Sequence, residues 1–192
     1  MFNDSFNNVN DFSNLFIASF ITENSICLDA TIGNGKDLLK IAKKLGKTGK
    51  LYGFDIQKSA ITKTSELIRE HNIDTEVILI NDSHENLDKY IHEKLDFVIY
   101  NLGYLPGGDK SIKTTEKSTI KSIKKALQLL SHGGIILITV YLNHPGGKEE
   151  YECVLELLSN LDQKFYNVFH IKFANQINNP PIMFGVEARG GE

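Results

Sequence analysis

The chain has 192 residues, of which 41% are hydrophobic and 23% charged, and its formal net charge is −3. This length suits one domain with a substantial core, the balance is that of an ordinary soluble globular protein, and the slight acidity excludes a global basic field, so a nucleic-acid partner would have to be met by a local patch. An apolar run of about 18 residues is lacking, as are a basic n-region and a small-residue cleavage site at the N-terminus, so neither a membrane span nor secretion is indicated and a cytoplasmic location is expected.

In chain order, Val9, Phe12, Leu15, Phe16, Ile17, Phe20 and Ile21 recur at helical spacing and predict an amphipathic helix over 9–22 that packs on the domain. A membrane-surface role has no Lys or Arg on the polar face to support it. A strand over 26–30 leads through Thr31-Ile32-Gly33-Asn34-Gly35 into a helix over 36–45, with Gly46 expected at C′. A strand over 50–54, a helix over 57–71, a strand over 76–80 and a short helix near 85–92 follow. Next come a strand over 95–100, a helix at about 115–131, a strand over 135–141 after Gly133-Gly134, and a helix over 148–161. Strands over 165–173 and 182–188, joined by an Asn/Pro-rich turn at 175–181, close the chain. Five βα units and a terminal hairpin predict a mostly parallel sheet with one antiparallel strand, a Rossmann-like α/β domain over 1–192 with 1–24 as an N-terminal helical segment. Strand order 3-2-1-4-5-7-6, with strand 7 antiparallel and helices on both faces, is the class I methyltransferase arrangement. Cys27 falls in a core strand and Cys153 in a helix, so buried thiols are expected rather than a disulfide.

In such sheets ligands bind at the carboxyl ends of the strands, near the switch point. The stretch Ser25–Asp37 is an apolar strand ending in an acid, a two-glycine turn and a helix N-terminus, the junction at which a nucleotide-like ligand sits. Asp55 ends the second strand 20 residues after Gly35, the separation of a carboxylate that accepts from a ribose diol. A dinucleotide fingerprint needs a glycine where Leu38 stands, a P-loop needs Ser or Thr where Asp37 stands, and Asp29 and Asp37 repel a pyrophosphate. A ribose joined to a cationic amino-acid end fits better, which is S-adenosylmethionine (SAM). The SAM-contacting candidates are Asp29, Thr31, Gly33, Asn34, Gly35, Asp37, Asp55, Gln57, Asp82, Ser83, His84 and Asn101, and no metal site is expected. Asp29 would balance the α-amino group, Asp55 with Gln57 the ribose, and Asp82, Ser83 and His84 the adenine edge; His84 alone also reads as an ordinary loop histidine.

Strand four ends in Asn101-Leu102-Gly103-Tyr104, a partial match to the Asn/Asp-Pro-Pro-Tyr/Phe of amine methyltransferases. There the Asn oxygen and a backbone carbonyl orient the target amine and the aromatic ring packs on the target; an ordinary strand-end turn is the plain alternative. Tyr141 and His144 lie after strand five; His144 reads as a general base or substrate contact, while Pro145-Gly146-Gly147 also suits a simple helix cap. Asn101, Tyr104 and His144 are the catalytic candidates, and Tyr104, Lys110, Lys113, Tyr141 and His144 the substrate-binding ones. Lys110, Lys113, Lys117, Lys121, Lys124 and Lys125 face only Asp109 and Glu116 in the same stretch, which reads as a solvated helix face or as a phosphate-contacting patch.

The stretches Asp29–Gly35, Asn81–His84, Asn101–Lys110 and Tyr141–Gly147 resemble a family of small bacterial proteins long labelled rRNA methylases and understood as MnmM-type wobble-uridine tRNA methyltransferases. The resemblance covers essentially the whole chain. It implies SAM as donor, tRNA as partner and methylation of the aminomethyl group of 5-aminomethyl-2-thiouridine. Thr31 stands where methyltransferases generally have the first glycine of the loop. Another RNA such as rRNA, or a small amine, is the alternative acceptor. A short-chain dehydrogenase would need Tyr-x-x-x-Lys after strand five, and the only such spacing, Tyr90/Lys94, precedes strand four. One-domain tRNA methyltransferases often dimerise, so a homodimer is expected.

Overall fold

The structure, a computed structural model, describes residues 6–103 and 113–190. Seven strands form one sheet: β1 (Ile26–Asp29), β2 (Lys50–Phe54), β3 (Glu76–Ile80), β4 (Leu95–Leu102), β5 (Leu130–Val140), β6 (Tyr166–Ile171) and β7 (Ile182–Ala188). Their order is β3-β2-β1-β4-β5-β7-β6; the first five are parallel and β7 runs antiparallel to both neighbours. This is the class I methyltransferase sheet expected from the sequence. Among the described residues five α-helices accompany it: α1 (Val9–Phe20), α2 (Lys36–Ala42), α3 (Lys58–Glu70), α4 (Glu116–Leu129) and α5 (Gly147–Ser159), with a 3-10 helix over His84–Lys89.

Alternation along the strands divides the core in two. On one face Leu28, Tyr52, Val98, Tyr100, Ile136 and Ile138 pack with Leu87, Ile123 and Leu127, and with Val154 and Leu158 of α5. On the other, Cys27, Leu51, Phe97, Ile99 and Leu137 pack against Val9 and Ile17 of α1, Leu38 and Ile41 of α2, and Ile61 of α3. With both faces covered, the central strands can be continuously apolar. Cys27 and Cys153 are both free thiols as expected, but only Cys27 is buried, and burial pushes its thiol well up; Cys153 is partly exposed on α5.

Three of the differences from the sequence reading have a local physical cause. Gly46 is not a left-handed cap: α2 ends at Ala42, a tight turn carries Lys44 and Leu45 back to the Ile41 carbonyl, and Gly46 N–H donates to Glu23 O at 2.8 Å. A Cβ on Gly46 would stand 3.1 Å from the Glu23 Cβ, so close approach is what the position requires. The helix expected over 85–92 is the shorter 3-10 turn, with Ser83 Oγ accepting from Glu85 N–H. Strand β5 begins at Leu130, before the Gly133-Gly134 pair, because four residues bulge out between the pairs Leu95–Leu130 and Phe97–Ile135. Asp96 bridges this bulge, accepting from Ser131 Oγ at 2.7 Å and from Ile26 N–H at 2.9 Å.

Candidate functional site

The carboxyl ends of β1, β2, β3, β4 and β5 open into one cavity of about 720 Å³, within the usual range of small-molecule clefts. Its floor is the turn between β1 and α2. Asp29, 1% exposed, accepts from Thr31 N–H through Oδ1, while Oδ2 has no hydrogen-bond partner among the described residues. Burial first, then the charge of Asp37, pushes its pKa up to about 8. Asp55 Oδ2 accepts from Gly33 N–H at 2.9 Å and Oδ1 from Gln57 N–H at 2.8 Å, so the second-strand carboxylate holds the first-strand turn in shape. Burial raises Asp55 against those two amide bonds. Gly35 has φ +75°, and a Cβ there would meet Thr64 Oγ1 at 2.6 Å, so both backbone and space demand glycine. Asn34 lies on the rim, its Oδ1 accepting from Lys63 Nζ at 2.7 Å.

Thr31, the departure from a glycine, is a tether: its Oγ1 accepts from Asn101 N–H at 2.7 Å and ties the end of β4 to the turn. The Asn101 side chain donates through Nδ2 to Asp37 Oδ2 at 3.1 Å, and Asp37 Oδ1 accepts from Lys40 at 2.7 Å. With Nδ2 committed, the acceptor Oδ1 is the end of the amide left for a ligand.

The β3 end forms the opposite wall. Asp82 accepts from Ser83 N–H, Asn86 Nδ2 and the Tyr90 hydroxyl; burial works to raise it, but these bonds overcome that and hold it below the usual carboxylate range. His84 is buried in the wall with its ring edge-on to Tyr100, and burial takes its pKa down to about 4, leaving a neutral imidazole at pH 7. At the β5 end, His144 Nδ1 faces the Pro145 carbonyl at 3.1 Å; a carbonyl only accepts, so Nδ1 carries the proton. Lys113 Nζ donates to that carbonyl too. Burial raises Tyr141, the Asn10 side chain donates to its hydroxyl, and Asp37 adds its charge.

Thr31, Gly33, Asn34, Asp37, Asp55 and Gln57 therefore line one cavity together with Asp82, Ser83, His84, Asn101, Lys113, Tyr141 and His144. Asp29 and Gly35 stand directly behind the lining. Tyr104 and Lys110 lie outside the described residues. The sequence reading missed Asn10, Asn143 and Thr114, which also line the cavity. Asn10 lies inside the capping box formed by Asn8 and Asp11, and Asn8 accepts from its N–H, a visible helix start that says nothing about what the first turn faces. Asn143 Nδ2 reaches the carbonyls of Asn178 and Asn179, a long-range contact with no local signal. Lys121 pairs with Glu85 at 3.3 Å and Lys125 with Asp88 at 2.6 Å, so part of the lysine face is spent on the neighbouring 3-10 helix.

Residues 51–187 match a family described as "Putative rRNA methylase". The chain belongs to this family. A crystal structure from Clostridium thermocellum carrying the same description is 42% identical, with a TM-score of 0.93 over 96% of this chain and 100% of that one. A "putative methyltransferase" from Streptococcus mutans, in complex with SAH, is 38% identical with a TM-score of 0.85 over 93% of this chain and 97% of that one. A chloroplastic tRNA (mnm(5)s(2)U34)-methyltransferase of Arabidopsis thaliana is 36% identical over 174 residues, 85% of this chain. The chain spans 64% of that relative's length.

Proposed function

We propose that the protein is a SAM-dependent N-methyltransferase acting on the aminomethyl group of 5-aminomethyl-2-thiouridine at the tRNA wobble position. The observation that carries this is Asn101: its backbone is pinned by Thr31, its Nδ2 is committed to Asp37, and its Oδ1 remains as an acceptor in the cavity. The family and the chloroplastic relative support the choice of RNA and nucleoside.

The cavity suits the donor. The unsatisfied Oδ2 of Asp29 fits the field of an ammonium group, and Asp55 keeps lone pairs beyond its two amide bonds for ribose hydroxyls. Asp82, Ser83 and neutral His84 offer acceptors and a ring face to an adenine. SAM supplies, when bound, a methyl group made electrophilic by a sulfonium. The protein's share is positioning and exclusion of water. Asn101 Oδ1 would accept from the target amine and aim its lone pair at that methyl, and would go on accepting from the nitrogen once it is cationic, until the surplus proton passes to water. Tyr141 and His144 flank the amine's approach, and Lys113, with Lys110 as read from the sequence, serves the phosphates. The protein works as a homodimer, a pairing checked by light scattering, where a monomer mass for the active form would remove it.

The deciding test is mass spectrometry of wobble nucleosides after incubation of protein and SAM with undermethylated bulk tRNA. The methylaminomethyl nucleoside is expected with the wild type. SAM binding without transfer to tRNA would redirect the substrate to rRNA or a small amine, and NAD binding without SAM binding would overturn the donor.

A further inference from the structure

Glu150 is 1% exposed in the first turn of α5, behind the cavity wall. Its Oε1 accepts from Thr119 Oγ1 at 2.6 Å and its Oε2 from Thr114 Oγ1 at 3.0 Å. A threonine hydroxyl has one proton to give. Since Thr114 gives it to the carboxylate, its oxygen can only accept from other groups, and it takes Gly103 N–H at 2.9 Å. Thr114 N–H in return donates to Gly103 O at 2.9 Å, closing a two-way pair between residues 11 apart.

Gly103 is the second residue after Asn101 and has φ +142°, open only to glycine. Among the described residues no peptide is cis, so fixing the Gly103 N–H fixes the Leu102 carbonyl on the opposite side of the same plane. His144 packs here as well: a Cβ on Gly103 would stand 3.5 Å from its Nε2, and one on Gly147 3.1 Å. A carboxylate, which only accepts, is thus what sets the direction of every bond in the series. Burial raises the Glu150 pKa, while both threonines and His144 oppose that and favour the charge.

We propose that Glu150 is a positioning residue for methyl transfer: through Thr114 it orients the Leu102–Gly103 peptide that follows Asn101, and so the surface that receives the target amine. This rests on the amine-methylation reading. Glu150→Gln keeps the shape but brings a donor into the pair, and Thr114→Val removes the relay at constant volume. Each is expected to lower kcat about 10–100-fold, the scale of a small misplacement of reacting groups. The KM for tRNA and the SAM dissociation constant should stay within about threefold, and the double variant should be little worse than Thr114→Val alone. Thr114→Ser, which keeps the hydroxyl, should recover most of kcat.

Amide hydrogen exchange at Gly103 reads the same arrangement without turnover, and should accelerate about tenfold or more in Glu150→Gln and Thr114→Val. Unchanged exchange at Gly103, a wild-type kcat in Thr114→Val, or a Thr114→Ser no better than Thr114→Val would each overturn the proposal. A wild type that fails on tRNA overturns the substrate instead, and the Gly103 exchange then decides the role of Glu150. Should Glu150→Gln not fold, Thr114→Val with its Ser rescue carries the test alone.

Discussion

Asp29 and Asn101 show how one carboxylate and one amide are prepared by their surroundings. Burial, then the charge of Asp37, pushes the Asp29 carboxyl up to about 8 in the fold, from the ordinary 3.8 that it keeps in the unfolded chain. Between those values the folded protein holds a proton that the unfolded chain has released. Its contribution to stability is therefore full below about pH 4 and lost as pH rises toward 8. Urea unfolding of the free protein at pH 5, 6, 7 and 8 should show a falling stability whose slope is reduced in Asp29→Asn; parallel curves would remove the assignment. An ammonium group placed beside Asp29 favours the charged form, so binding SAM near pH 7 should release a proton. Calorimetry in buffers of different ionisation enthalpy measures that directly, and Asp29→Asn should abolish it. Asn101→Ala removes the proposed amine acceptor and the Nδ2 bond to Asp37, while Asp29, Asp55 and Asp82 stay to hold the donor. Its kcat should fall on the order of 100-fold, as for a lost positioning contact, with SAM affinity changed only a few-fold.

The β1–α2 turn is a shape set by three strands at once, through Asp29, Asp55 and Thr31. Gly35→Ala adds a side chain at φ +75° with a 2.6 Å contact on Thr64, and should cost about 1–3 kcal/mol of stability together with most SAM affinity. Denaturant unfolding and calorimetry check both. On α4, Lys121 and Lys125 already have carboxylate partners, so alanine at either should change tRNA affinity less than twofold, and the pairs themselves add little stability. Alanine at Lys113, on the cavity rim, should weaken tRNA binding more. Strand ends and apolar periodicity were enough to locate Asp55, Asp82 and Asn101, because in a parallel sheet the carboxyl ends share one side. What periodicity could not carry was direction and distance. Asn10 reads as a plain first-turn residue until α1 is laid across the sheet. Glu150 reads as one of several acids in a helix start until Thr114 and Thr119 are brought against it. Gly46 reads as a cap from sequence because a glycine after a helix suits a left-handed cap and a tight backbone crossing equally well.

At the scale of the whole molecule, the cavity draws on α1 at Asn10, on five strand ends, and on Asn143, which is fastened to the turn at Asn178 and Asn179. A sheet built from such distant pairings forms slowly compared with helices of local contacts. The position of β7 sharpens this. It is the last strand in sequence, yet it lies inside the sheet and is the strand on which β6 pairs. During synthesis, a chain extended only to residue 181 has β6 without its partner and β5 with a bare edge, the kind of edge that recruits other chains. Completion of the site is thus a late event, waiting until residues 182–188 have left the ribosomal exit tunnel. A ribosome-bound chain whose residues 182–188 are still inside the tunnel should be open to protease and capture no SAM, whereas the same chain followed by a linker long enough to clear the tunnel should gain protease resistance and SAM binding at once.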